Sequence, residues 1–417
     1  MKMRLTNFSK SLRTPLKAIG QEADKQGVSV YIVGGIVRDL LLRKRNLDLD
    51  IVIEGNAIAF AEKFARKQSA RVKPYTQFGT ATIYLTNGLS IDVAMARKEV
   101  YHRPGALPSV TPGSIEEDLI RRDFTINAMA VKINANCFGK LFDPFGGQKD
   151  LTLKKIRILH EKSFIDDPTR ILRGVRFEQR FRFLFDTKTL QLLKQALQRN
   201  AVKTVKPARY FEEFRKLLKE EYPRPALLRL KKLNGFTFLA KNFNVNAPLL
   251  GRMEKNIDRL KRDGFYRQKE WSLVYLVALL KGLDAKEMNS IIKYFQLTNH
   301  EKKVLLMSPL SDEVFLKLRR GGASAHKIFQ ILEICEEEII FFIRVQTSAI
   351  IITRYVDHFL KKSSCITLNM NGNDLKKMGS PSGPKIGRVL RALLMMKIDG
   401  QLPSRQSELA MARQLLN

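Results

Sequence analysis

Tyr31–Ile53, YIVGGIVRDLLLRKRNLDLDIVI, decides how the chain is read. A short apolar run, Tyr31-Ile32-Val33, breaks at Gly34-Gly35 and passes into a helix-like stretch from Val37 to Leu42. A second strand-like run then carries Asp48 and Asp50 with one residue between them. Alternate residues of a strand point to the same face, so the two carboxylates project together. Carboxylates held that close repel unless a cation lies between them, and Mg²⁺, with its preference for oxygen ligands, suits the position. The glycine pair lets backbone N–H groups approach an anion, and Arg38 adds a fixed positive charge at the same edge. Together these features suggest a metal-dependent nucleoside triphosphate site. Taken singly, GG is an ordinary turn and DxD an ordinary solvated acidic spot; the combination is more specific.

Composition points to the partner. The 417 residues hold 74 Lys+Arg against 41 Asp+Glu, a net charge of +33, and the isoelectric point is near 10.1. Such an excess predicts a polyanion. Residues 1–150 hold 23 basic and 15 acidic side chains, and residues 151–417 hold 51 and 26. The C-terminal part is therefore the one expected to lie along a phosphate backbone. A membrane surface fits less well, because the basic residues are scattered over many segments. Cys137, Cys335 and Cys365 lie far apart with no CxxC, so neither disulfide nor zinc site is expected. Reduced thiols and a basic N-terminus without an apolar core lead to the expectation of a cytoplasmic protein. Ile339–Ile343 is too short to span a bilayer and reads as buried helical core.

Residues 1–150 read as mixed α/β. Strands are expected at Ser29–Val33, Leu49–Ile53, Ala81–Leu85, Ser90–Ala94 and Ala128–Ile133, with helices at Lys10–Gln26 and Ala57–Gln68. Beyond residue 151 apolar residues recur at helical spacing, as in Thr189–Gln198, Tyr210–Leu218, Glu270–Leu280 and Lys327–Phe342. Asn234–Pro248, Gly321–Ser324 and Ser380–Gly383 read as loops. Arg97–Leu119, punctuated by three prolines and two glycines, is either a working loop or disordered.

GGxVRD followed by a basic linker and DxD on an apolar strand resembles the polymerase-β-like nucleotidyltransferases. This version is similar to the class II tRNA nucleotidyltransferases (CCA-adding enzymes) and bacterial poly(A) polymerases. The resemblance runs strongly from residue 29 to 183 and loosely beyond. It implies an α+β fold: a polymerase-β-like nucleotidyltransferase head with a mixed sheet, then an extended all-helical body. The implied domains are 1–150 (catalytic), 151–235 (nucleobase-reading) and 236–417 (helical body and tail, tRNA-binding). It implies addition of CMP or AMP, all or part of CCA, to the 3′ end of tRNA from CTP or ATP. Asp48 and Asp50 would hold two Mg²⁺ ions, and Gly34, Gly35 and Arg38 would face the nucleotide. The wording PGALPSVTPGSIEEDLIRRDFTINAMA looks most like members that add only the terminal A.

Further residues gain roles from the same resemblance. Asp92, in the alternating strand LSIDVA, is either the third carboxylate beside the primer 3′-hydroxyl or a strand-end Asp bonded to backbone. Arg121–Ala128, RRDFTINA, resembles the second family motif, in which Arg122 contacts the nucleotide while Asp123 and Asn127 order the ribose side. Asp143–Leu151, DPFGGQKDL, matches the turn leading out of the catalytic domain, and its glycines suit a hinge or an ordinary turn.

Phe164–Phe183, FIDDPTRILRGVRFEQRFRF, resembles the nucleobase-reading motif, with Asp167 and Arg170 in the reading positions and Arg173 and Arg176 beside them. Cytosine and adenine each present an amine next to a ring-nitrogen acceptor, which an Asp/Arg pair satisfies. Uracil and guanine present a carbonyl next to a ring N–H and are mismatched. Arg209 and Glu212 or Glu213 are candidates to brace this helix, although Ala208 stands where the family commonly has Glu. A poly(A) polymerase, or an RNA-binding protein with a dead transferase fold, is the alternative.

Overall fold

The computed structural model describes residues 4–44, 46–240, 243–264, 266, 269–379 and 383–416. Part of the expected loop Ser380–Gly383, and residues 241–242 of Asn234–Pro248, lie outside them. The described chain forms two compact units, Met1–Glu220 with Pro225–Phe243, and Glu221–Arg224 with Asn244–Asn417.

The first unit is built on a seven-stranded mixed sheet. Its strands are β1 (Ser29–Val33), β2 (Leu49–Glu54), β3 (Arg71–Tyr75), β4 (Thr80–Tyr84) and β5 (Ser90–Met95). A hairpin of β6 (Arg97–Val100) and β7 (Ser109–Pro112) stands apart, and β8 (Ala130–Lys132) and β9 (Lys140–Phe142) complete the sheet. The strand order is β3-β4-β5-β2-β1-β8-β9, with β2 and β5 parallel and the other pairs antiparallel. Helices of this unit include α1 (Lys10–Gln26), α2 (Gly35–Leu41), α3 (Ala57–Lys67), α4 (Ile115–Ile120), α5 (Gly147–Thr152), α6 (Ser163–Asp166), α7 (Thr169–Phe181), α8 (Thr187–Gln198) and α9 (Pro207–Leu218).

Period-two alternation divides the sheet into two faces. Ala81, Ile83, Ile91 and Val93 are buried on the side covered by α3. On the other side Tyr31, Val33 and Val52 pack with Ile115 and Leu119 of α4. Asp50 has the parity of Val52, and its register partner on β5 is Asp92. Two carboxylates therefore stand side by side on the face opposite α3.

Beyond the sheet, α7 buries Ile171, Leu172 and Val175. That placement turns Arg170, Arg173 and Arg176, each three residues on, toward a common side. Helix α9 starts at Pro207, a residue pre-set for the first helical turn, and buries Tyr210, Phe211, Phe214 and Leu217.

The second unit is helical. Its core is carried by helices such as Ala247–Arg262, Ser272–Leu280, Glu337–Val345 and Ile350–Lys361, with Met253, Val274, Phe341, Phe342 and Val356 fully buried. Helices Gly372–Lys377, Pro384–Ile398 and Arg405–Leu416 close a smaller cluster around Leu375, Leu393 and Ala412. Among the described residues no helix is long and apolar enough to cross a membrane.

Most expected elements are present, with three differences. Lys327–Phe342 is not one helix but two, Ala325–Leu332 and Glu337–Val345. Consecutive Glu336, Glu337 and Glu338 would repel inside a helix, whereas acids in a first turn complement the helix dipole. Glu336 is extended there, at ψ 151°. Ala128–Ile133 shortens to Ala130–Lys132, because Thr125–Asn127 forms a 3₁₀ turn just before it. The punctuated stretch after Arg97 is ordered as the β6–β7 hairpin, running into α4.

Candidate nucleotidyl-transfer site

Between β1 and α2 the chain passes through Gly34 at φ +74°, a conformation that favours glycine. A Cβ built on Gly34 would lie 2.9 Å from Arg122 Nη1 and 4.0 Å from Asp50 Oδ2. The missing side chain is what brings guanidinium, carboxylate and backbone to one point. Arg122 is aimed by Asp118 on α4, whose Oδ2 accepts from Nη2 at 2.8 Å. Asp118 is fully buried and also accepts from Arg121 at 2.6 Å. Burial works to raise its carboxyl, but Arg122 and Arg121 outweigh this and hold it below the ordinary value.

The acidic edge is positioned by a separate chain of contacts. Arg38 Nε donates to Asp39 Oδ1 at 2.9 Å, Asn46 Nδ2 donates to Asp39 Oδ2 at 2.8 Å, and the Asp48 backbone N–H donates to Asn46 Oδ1 at 2.8 Å. Asp48 thus enters β2 on a constrained path. Desolvation first, then the neighbouring charges of Asp48 and Asp92, push the Asp50 carboxyl up to about 6, while Arg122 pulls the other way. A carboxylate disfavoured by its own acidic neighbours is suited to a cation, and an all-oxygen donor set fits Mg²⁺. The residues present therefore fit the metal that the resemblance implies.

A continuous polar network joins the three motifs. Buried Arg38 donates through Nη1 to Asn127 Oδ1 at 2.7 Å, and its guanidinium carbon lies 4.6 Å from the Phe181 ring centroid. Asn127 Nδ2 donates to Asp123 Oδ1 at 2.9 Å, and Asp123 Oδ2 accepts from Arg173 Nη2 at 2.6 Å. Burial opposes ionisation of Asp123, yet Arg173 and Asn127 prevail and its carboxyl falls to about 2. The Arg173 guanidinium is correspondingly raised, chiefly by Asp123. Arg176 lies between Glu213 at 3.7 Å and Glu220 at 3.4 Å, with burial opposing its charge.

At the other end, Asp167 Oδ1 accepts from the Thr169 backbone N–H at 3.1 Å and from its hydroxyl at 2.6 Å. Asp167 Oδ2 accepts from Arg209 Nη2 at 2.6 Å. Arg170 donates through Nη1 to Ser163 Oγ and through Nη2 to the Arg121 carbonyl, both at 2.6 Å. Its guanidinium is thereby fixed while other N–H groups remain to donate. The hairpin contributes to this end through Gly105, at φ +68°, whose N–H donates to the Asp166 carbonyl at 3.2 Å. A side chain at Gly105 would meet the Thr204 backbone at 2.5 Å.

Every residue expected to bind nucleotide or metal, except Asp92, lines one cavity of about 980 Å³, with Asp48, Asp50 and Arg122 near the sheet and Asp167 and Arg170 on the helical side. That volume suits a nucleotide. The buried Arg122 Nε has no acceptor among the described residues, a donor left over for an anionic ligand. Asp92 opens instead on a smaller cavity that shares Asp50, Arg121 and Arg122 with the first. Its carboxylate accepts from Thr82 Oγ1 at 2.6 Å and, among the described residues, from no backbone group.

Of the candidate braces, Arg209 reaches Asp167, and Glu213 pairs with Arg173 at 3.5 Å as well as with Arg176. Glu212 pairs with Arg215 instead. Asp118, Ser163 and Thr82 were not legible as site residues, because a single Asp, Ser or Thr carries no pattern. The glycines of DPFGGQKDL end in a capped helix, with Asp143 accepting from the Gly147 and Gln148 N–H groups at 2.7 and 2.9 Å.

Comparison with known proteins agrees with this geometry. Residues 30–157 match the Poly A polymerase head domain, and residues 182–246 match the probable RNA and SrmB-binding site of polymerase A. The A-adding tRNA nucleotidyltransferase of Halalkalibacterium halodurans is 33% identical over 96% of this chain and 92% of its own. That of Geobacter sulfurreducens is 35% identical over 96% of this chain, which spans only 46% of that longer relative. The Thermotoga maritima CCA-adding enzyme complexed with tRNA superposes with a TM-score of 0.75 at 31% identity, covering 99% of this chain and 97% of that one. With the head, the carboxylate pair and the Asp/Arg helix all in place, the chain belongs to the tRNA nucleotidyltransferase and poly(A) polymerase family.

Proposed function

We propose that the protein is a template-independent, Mg²⁺-dependent nucleotidyltransferase that adds AMP from ATP to the 3′ end of tRNA, releasing pyrophosphate. The observation that carries this is a single cavity with Asp48, Asp50 and Arg122 at one end and a fixed Asp167/Arg170 pair at the other. AMP is favoured because two relatives that match over 96% of the chain at 35% and 33% identity are named A-adding, whereas CCA-adding enzymes that match over as much of it are 28–32% identical. Addition of CC or of whole CCA from CTP and ATP is the second reading, since an Asp/Arg pair accepts cytosine and adenine alike.

In this reading Arg122 and Arg38 hold the triphosphate, Asp123 and Asn127 order the ribose side, and Asp167 and Arg170 read the base edge. Asp48 and Asp50 hold Mg²⁺, which supplies charge neutralisation and Lewis-acid activation at the transferring phosphorus. Residues 1–150 carry the chemistry, 151–235 the base reading and 236–417 the grip on tRNA, whose phosphates suit the excess of Lys and Arg there. The three cysteines are free, which accords with a cytoplasmic setting. The test supplies tRNAs ending before CCA, after CC and after CCA with CTP, ATP or both. Extension only of the CC-ended tRNA, by one A, is the expected result. Extension of tRNA lacking CCA would replace the A-adding assignment, and long A tails would replace it with poly(A) synthesis.

A further inference from the structure

Helix α7 is entered through residues 158–168, ILHEKSFIDDP. The Ser163 backbone N–H donates to the His160 carbonyl at 3.1 Å, which closes a turn, and α6 follows with Ser163 and Phe164 buried. This turn sets two side chains against one nitrogen of Arg170. Ser163 Oγ lies 2.6 Å and His160 Nε2 3.5 Å from Nη1. On its far side the His160 ring places Nδ1 3.8 Å from Asp166 Oδ2. Asp166 is held in turn by Gly105, whose N–H donates to its carbonyl at 3.2 Å.

A guanidinium carries five N–H hydrogens in a rigid fork. Ser163 and His160 account for the two on Nη1. The Arg121 carbonyl, 2.6 Å away, takes one of the two on Nη2. Nε–H and the second Nη2 hydrogen are left for a ligand. His160 can accept in this way only while Nε2 is unprotonated, with the ring proton on Nδ1 toward Asp166. The charges acting on the ring are Arg170 of α7, Asp166 of α6 and Lys162 of the turn. Glu161 beside it pairs with Lys188 of α8, and both are exposed. Burial first, then Arg170, holds the imidazole below its ordinary value, with Asp166 opposing them. The neutral ring is therefore the form that suits this position near neutral pH.

We infer that His160 is a positioning residue for base selection, which aims the guanidinium of Arg170 at the incoming base. As neutral imidazole it takes the Nη1 hydrogen that Ser163 leaves over, so the remaining donors face the ring nitrogen of the base. As imidazolium it sets a like charge against Arg170 and no longer accepts, and the guanidinium is free to turn. Base choice thus weakens in acid. The inference rests on the base-reading role proposed for Arg170 and adds the group that aims it.

The test uses full-length protein, CC-ended tRNA and the variants His160→Gln and His160→Phe. The readout is kcat/KM for ATP divided by that for GTP, followed from about pH 7.5 to about pH 5, the range in which a histidine titrates. The ratio cancels the titration of Asp50, which slows every nucleotide alike. The parent's preference for ATP should fall toward acid by about two- to tenfold, the worth of one hydrogen bond. Gln, a neutral acceptor throughout, should keep the preference within about twofold across the range. Phe, which fills the space without accepting, should show the low ratio at both ends. A parent ratio as flat as that of the Gln variant, with addition of A intact, overturns this inference alone. So does a Phe variant that slows both nucleotides but keeps the parent's ratio, the mark of a merely structural role. A parent that adds A but does not prefer ATP to GTP overturns the base-reading role with it, and one that adds no nucleotide overturns the transfer reading as well.

Discussion

Arg38 and Asn127, 89 residues apart in the chain, are joined by a 2.7 Å hydrogen bond in the buried floor of the cavity. Through Asp123 the bond continues to Arg173, so the glycine turn, the RRDFTINA segment and helix α7 hold one another. Asn127→Ala would leave Arg38 Nη1 without its side-chain acceptor and Asp123 without one donor. A loss of about 1–3 kcal/mol in stability is expected, the cost of unpaired buried polar groups. Urea unfolding measures it. An unchanged midpoint would show that the Asn127 bonds add nothing to what holds the three segments together.

Gly34→Ala should be far more harmful than an alanine elsewhere on the cavity wall. It imposes a Cβ at φ +74° and sets it 2.9 Å from Arg122 Nη1. Strain of about 1–2 kcal/mol is expected, and displacement of Arg122 should raise the KM for ATP tenfold or more, a factor worth about 1.4 kcal/mol. Steady-state kinetics with ATP varied at saturating tRNA give the answer. A KM within twofold of the parent's would remove Arg122 from the triphosphate.

For the acidic edge, Asp48→Ala and Asp50→Ala should each abolish addition while leaving tRNA affinity nearly intact. The carboxylates are needed for the metal, whereas the RNA grip is assigned mainly to the basic C-terminal part. Addition rates and filter binding are the two readouts. Activity within tenfold of the parent in either variant would end the metal assignment.

Base choice should reside in Asp167 and Arg170. Arg170→Ala and Asp167→Ala each remove a charge-assisted contact worth roughly 1.5–3 kcal/mol, about ten- to a hundredfold. Incorporation of all four nucleotides on one CC-ended tRNA should therefore show relaxed ranking, not only slower addition. Arg209→Ala, which frees Asp167 Oδ2, should relax it by a smaller factor. If all three variants kept the parent's ranking, α7 would be a phosphate-binding helix instead.

Acid should erode one specific contribution. Asp123 has a carboxyl lowered from 3.8 to about 2 in the folded protein. A group depressed on folding adds stability that is complete above its unfolded value and is lost as pH falls toward its folded one. The stability gap between parent and Asp123→Asn should thus be constant above about pH 5, shrink below about pH 4 and close toward pH 2. Denaturant midpoints of both proteins at pH 6, 4 and 3 follow it. A gap as wide at pH 3 as at pH 6 would mean that Arg173 does not hold Asp123 ionised.

Local order was legible in the sequence wherever it is enforced by neighbours along the chain. The GG break, the DxD spacing and helix α1 could all be read from short-range periodicity and from the conformational limits of Gly. The Arg170, Arg173 and Arg176 spacing likewise placed them on a common side of α7. What those arginines touch could not be read, because their partners come from distant segments. Asp123 holds Arg173 across 50 residues, and the Arg121 carbonyl holds Arg170 across 49. The rung from Asp50 through Asp92 and Thr82 to Lys73 is equally non-local, since strand order and register set it. Sequence by itself determined which chemistry the chain carries. Only the tertiary structure decided which carboxylate meets which guanidinium, because ion pairs depend on distance in space and the chain encodes that distance only through the packing of its core.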